Sequence, residues 1–89
     1  MIPVHAESVA TAKSRISEWV QGLRVAGASL PTPTQQELLS QLALARPITR
    51  RDGTLEVVLP ALSSLGIGIF QHSFRCDALR VRVVPYGMA

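Results

Sequence analysis

The sequence predicts an α+β fold, with two N-terminal helices packed on one face of a four-stranded antiparallel β-meander. Three observations carry this. Apolar residues recur at helical spacing up to about Ala45 and alternate with polar ones after Pro47, so the hydrophobic period changes once along the chain. Asp52-Gly53 lies between two strand-like runs, a strong short-range hairpin signal. Two further alternating runs, Ile67–Phe74 and Leu79–Val84, close on a short connection. A chain of 89 residues, 47% hydrophobic and 17% charged, has the size and composition of one globular domain covering 1–89.

Met1 to Ala6 reads as an extended lead, because Pro3 blocks an early helix. The first helix is expected from Glu7 to about Gly27. Val9, Ala12, Ile16, Trp19, Val20, Leu23 and Ala26 form its apolar stripe, while Lys13, Ser17, Glu18, Gln21 and Arg24 lie off it. Glu7 suits the positive end of the helix dipole. Gly22 costs about 1 kcal/mol against alanine inside a helix, so it marks either a close packing contact or an early end. A second helix is expected to start with Thr32 as N-cap, Pro33 in the first helical position and Gln35 closing a capping box, or two residues later with Thr34 and Glu37 as the box. Leu38, Leu39, Leu42 and Ala45 make its buried stripe, and Pro47 ends it. The short linker predicts that the two helices pack as a hairpin.

Ile48–Arg50 and Thr54–Leu59 are the first two strands. A two-residue turn at Asp52-Gly53 pairs Arg50 with Leu55, Thr49 with Glu56 and Ile48 with Val57, placing Ile48 on the apolar face of Leu55, Val57 and Leu59. Pro60 to Gly66 is a helical turn or an irregular loop. In the last hairpin a four-residue loop, Arg75 to Ala78, sets Phe74 opposite Leu79, His72 opposite Val81 and Phe70 opposite Val83. These six define a core face, because opposed residues share a side. The other side carries Ile69, Gln71, Ser73, Arg80, Arg82 and Val84. A competing reading makes Leu55–Leu65 the recognition helix of a winged helix-turn-helix with Ile67–Val84 as its wing. Pro60 would cost that helix about 3 kcal/mol, and Glu56, Ser63 and Ser64 are a poor set for contacting phosphates and bases.

Chemistry-bearing residues are sparse. His72, Cys76 and Asp77 are close in sequence, but His72 falls on the core face and Cys76 in the loop, so no nucleophile–base pair forms. Two ligands fall short of a zinc site. Gly66-Ile67-Gly68 lacks the lysine and following helix of a phosphate loop, and the six carboxylates are scattered singly. No cofactor is expected, and a non-enzymatic role follows. The single Cys76, the absence of a signal-like start and the lack of a long apolar run point to a cytoplasmic home with no membrane partner.

Charge supplies the remaining signal. The net charge is +3, and eight of the nine basic residues are arginine, the residue best suited to interfacial ion pairs. Small size and arginine bias also suit a compact bacterial or phage genome. Arg46, Arg50 and Arg51 cluster at the first hairpin; Arg75, Arg80 and Arg82 cluster at the second. Solvated arginines also protect sheet edges from aggregation. Nucleic-acid-binding sheets interleave such charge with exposed aromatics, which this face lacks. The expected function is therefore binding a larger protein with an acidic surface, as an adaptor, regulator or inhibitor. Ile69, Gln71, Arg80, Arg82 and Val84 are the expected contacts, with Arg50 and Arg51 at the rim. A winged-helix DNA binder and a homo-oligomeric structural subunit, the simplest form a homodimer, are the alternatives.

Overall fold

In the computed structural model, which describes residues 6–25, 27–65, 72–76 and 78–86, the α+β class holds. The helices are α1 (Ala6–Gly22) and α2 (Thr32–Leu44). Ala12, Ile16 and Val20, four residues apart, are all buried, and α2 buries Leu38 and Leu42 in the same way. One residue in each turn thus points at the core, as an amphipathic helix requires. α1 stops at Gly22, short of the expected Gly27, and no described residue comes within 4 Å of where a side chain would leave that glycine. Of the two roles left open for Gly22, ending the helix is the one it fills. The chain then makes a small hairpin, β1 (Arg24–Val25) against β2 (Ala28–Ser29), turning at Gly27 with φ +82°.

α2 begins one residue earlier than its capping signals imply. Pro31 is the N-cap, Thr32 is already helical, and no side chain caps the helix; the Pro31 carbonyl accepts from Gln35 N–H at 3.0 Å. The Thr32–Gln35 capping box therefore does not form.

The main sheet is β3 (Ile48–Thr49), β4 (Leu55–Val58), β5 (His72–Cys76) and β6 (Leu79–Val84), in the order β3-β4-β6-β5. This corrects the expected meander. β6 lies between β4 and β5, parallel to β4, so the sheet is mixed. A 3-10 helix at Pro60–Leu65 follows β4. Its start is held to α2, where Gln41 Oε1 accepts from Ala61 N–H at 2.9 Å. The chain has left β4 by then, and β6 rather than β5 returns beside it. Leu55–Val58 is a strand, so the recognition helix of the winged-helix reading is absent.

Both hairpin registers differ from expectation. In the first, Ile48 pairs with Glu56 and Thr49 with Leu55. The loop is three residues, Arg51-Asp52-Gly53, with Gly53 at φ +85°. Asp52 Oδ1 accepts from Thr54 N–H at 2.9 Å, and Arg50 N–H donates to the Thr54 carbonyl at 2.8 Å. The extra loop residue slips the register by one, and a one-residue slip changes the face. Ile48 lands beside Glu56 instead of in the core and is 44% exposed. In the second hairpin His72 pairs with Val83, Phe74 with Val81 and Cys76 with Leu79. That is a slip of two, which preserves the faces. Cys76 is consequently a buried strand residue and not a loop residue. The expected strand residues Ile67 to Gln71, and Asp77, lie outside the described residues.

The core fills one face of the sheet. Leu55, Val57, Cys76, Val81 and Val83 pack with Ala12, Ile16, Val20, Leu38 and Leu42 of the helices and with Leu30, Leu59 and Leu62.

Candidate functional site

Alternation along β4, β5 and β6 turns Glu56, Val58, Ser73, Arg75, Arg80, Arg82 and Val84 away from the helices. These include three of the expected contacts, Arg80, Arg82 and Val84, and the structure separates the face into two groups.

The first group is closed. Val84 is only 4% exposed and cannot be a contact residue. β6 is an interior strand: Val84 lies beside Val58 of β4, and its carbonyl accepts from Leu59 N–H at 2.8 Å as the chain turns into the 3-10 helix. Glu56 is 1% exposed. Its Oε2 lies 3.3 Å from Nε of Arg50, and among the described residues neither carboxylate oxygen has a hydrogen-bond donor in good geometry. Arg50, expected at the rim, is therefore committed to a buried carboxylate. The alternation in Leu55-Glu56-Val57 signals that Glu56 leaves the core face, but its burial depends on a sheet order that the alternation does not specify.

The second group is open. Arg75 sits directly opposite Arg80, and Ser73 opposite Arg82. Arg75 and Arg80 are exposed and Arg82 half-buried. Together with Asp52 and Thr54 these side chains line a groove of about 370 Å³. Asp52 is the one carboxylate lining it among the described residues. Hydrogen bonds from Thr54 hold the Asp52 pKa below its ordinary value, and Arg82 adds to that effect. The β4 side of the groove thus has a counter-charge, whereas the Arg75–Arg80 rung has none among the described residues. Arg51 is exposed at the tip of the first hairpin. Ile69 and Gln71 lie outside the described residues. Arg75 belongs to the second-hairpin cluster in the sequence, but assigning it to a loop hides its place on this face.

A second groove, about 310 Å³, lies between α1 and the core-side face of β5, lined by Arg15, Glu18, Trp19, His72 and Phe74. Trp19 and His72 stack with ring centroids 4.4 Å apart and planes 6° from parallel. Phe74 is tilted against His72 at 5.5 Å. The Arg15 guanidinium lies 5.4 Å from the Phe74 ring centre, a cation–π distance, and donates to the Arg75 carbonyl at 2.6 Å. Burial pushes the His72 pKa below its ordinary value. His72 and Cys76 stand four residues apart on one strand, roughly 13 Å at ~3.3 Å per residue, so they form no dyad. Among the described residues no group of three or more His, Cys, Asp and Glu side chains is placed to hold a metal, and no helix is long and apolar enough to cross a membrane.

No protein-family model, curated protein or solved structure matches this chain.

Proposed function

We propose that this chain is a small non-enzymatic protein-binding module of the cytoplasm, an adaptor, regulator or inhibitor that docks on an acidic surface of a larger protein. Arg75, Arg80 and Arg82 are the central contacts, with Arg51 at the rim.

The observation that carries the reading is the Arg75–Arg80 rung. Like charges directly opposite each other on a sheet are destabilising. A sheet that pairs two exposed arginines across one rung, with Asp52 on the β4 side the one carboxylate lining the groove among the described residues, gains when an acidic group arrives. Arginine's planar fork suits carboxylates. Protein is favoured over nucleic acid because the one aromatic lining this groove among the described residues, Phe74, has its ring against His72 and Arg15, which leaves bases a poor stacking platform. A homodimer through this face would set arginines against arginines.

The test is capture from a lysate of the source cells, using the tagged chain and its Arg80→Glu variant, with half of each sample treated with nuclease. One protein recovered in stoichiometric amount by the parent chain from both halves, and lost with Arg80→Glu, is the expected result. Recovery of nucleic acid, with bound proteins lost after nuclease, overturns the reading in favour of nucleic-acid binding. A solution mass that rises with concentration and falls back with Arg80→Glu overturns it in favour of self-assembly.

A further inference from the structure

Backbone direction fixes which groups of β5 face outward. The Val84 carbonyl is turned toward β4, where Leu59 N–H meets it. Backbone groups alternate sides along a strand, so Arg82 and Arg80 also turn theirs toward β4, and Val83, Val81 and Leu79 turn theirs toward β5. The pairs Val83–His72, Val81–Phe74 and Leu79–Cys76 are then the hydrogen-bonded ones. Ser73 and Arg75 belong to the other kind and direct their N–H and C=O groups away from β6, to the outer edge of the sheet. The Arg15 hydrogen bond agrees, since it reaches the Arg75 carbonyl from outside the β5–β6 ladder.

Among the described residues β5 is the last strand of the sheet on that side, and a groove lies on each of its faces. The arginine groove lies on one, lined by Ser73, Arg75 and Arg80. The aromatic groove lies on the other, lined by Trp19, His72 and Phe74. A strand laid along the edge would drop alternate side chains into the two grooves.

We propose that the outer edge of β5 takes an extended segment of the partner as an added strand, which displaces the Arg15 side chain from the Arg75 carbonyl. Acidic side chains at every second position meet Arg75 and Arg80, and apolar or aromatic side chains between them enter the groove of Trp19, His72 and Phe74. This rests on the acidic-partner reading above and adds how the partner binds. In such strand addition the main-chain hydrogen bonds supply affinity and the alternate pockets supply specificity. Charge complementarity selects the occupant. A second copy of this chain adding its own β5 would bring one arginine rung against another, because a two-fold interface matches a patch with itself.

The probe is a synthetic nine-residue peptide alternating aspartate and valine, with blocked ends. Trp19, the only tryptophan of the chain, reports on the aromatic groove by fluorescence, and amide hydrogen exchange reports on Ser73 and Arg75. The expected result is saturable binding that slows exchange at these two amides and weakens at least about tenfold with Arg80→Glu. Methylating one alternate set of peptide amide nitrogens should abolish binding, and methylating the other set should leave it within about threefold. Binding that depends on Arg80 but ignores both methylation patterns overturns the edge and leaves the acidic-partner reading standing, with the segment lying across the face. No saturable binding at millimolar peptide also overturns the edge, while capture with Arg80→Glu decides the broader reading independently.

Discussion

The two faces of the four-stranded sheet come from the same strands and have opposite construction. On the helix side Leu55, Val57, Val81 and Val83 are each at most 1% exposed and pack with apolar residues of α1, α2 and the 3-10 helix. On the far side each position carries charge or borders it, and the charges are unevenly matched: Glu56 holds Arg50, Asp52 influences Arg82, and Arg75 stands against Arg80. Burial on the first face accounts for the fold. The second face is buried only beside β4, at Val84 and the Arg50–Glu56 pair, and its Arg75–Arg80 rung sets like charges opposite each other. The apolar core and the charged face are thus separated by a single residue step along each strand.

The comparison breaks most severely on the first face. Leu55→Ala should cost about 2–5 kcal/mol in chemical denaturation, because it removes a fully buried side chain from a packed site. On the second face the largest effect belongs to Arg50. Removing one partner of a fully buried pair costs about 3–5 kcal/mol. Since a third of the Arg50 side chain is exposed, Arg50→Ala should cost roughly 1–3 kcal/mol, and adding Glu56→Leu should recover most of it by removing the stranded carboxylate. A cycle in which the two losses add would place the cost in the arginine's packing and not in the pair.

Smaller effects sharpen the contrast. Burial holds the His72 pKa below 6.5 in the folded state, so the unfolded chain takes up this proton first as pH falls. Its contribution is fully present above about pH 6.5 and declines as pH drops toward the folded-state value. The denaturation midpoint should fall between about pH 7.5 and pH 5.5, and His72→Phe should flatten that slope. Smallest is Arg80→Glu, which turns a like-charged rung into an attractive one and should stabilise the fold by about 0.2–1 kcal/mol while abolishing partner binding. A clear loss of stability there would make Arg80 a structural residue.

Much of this arrangement is legible in the residues, for reasons that can be named. The four-residue spacing of Ala12, Ile16 and Val20 fixes the buried side of α1. The alternation of Arg80 and Arg82 with Val81 and Val83 fixes the faces of β6, and a slip of two in its hairpin leaves them unchanged. The first hairpin is less secure because Arg51-Asp52-Gly53 accepts either a two-residue turn or a three-residue loop with Gly53 at positive φ. The choice moves Ile48 from core to surface. Strand order is not legible at all, because β6 has the same alternation beside β4 as it would at an edge. Val84, expected to be exposed, is buried for that reason. The aromatic groove joins α1 to β5, residues far apart in the chain, and no local pattern announces that Trp19 will stack on His72.

The parallel seam at the centre of the sheet also bears on how the molecule assembles. Both antiparallel pairings close over short loops, whereas the seam joins Leu55 to Val81, 26 positions further on. Closing the longer loop costs more chain entropy before any contact compensates it. The two hairpins are therefore the early units of folding, and their union along β4 and β6 is the late step. Until it happens β4 and β6 each present an unpaired edge rich in valine and leucine. The interval before the seam closes is when this small protein is most exposed to aggregation.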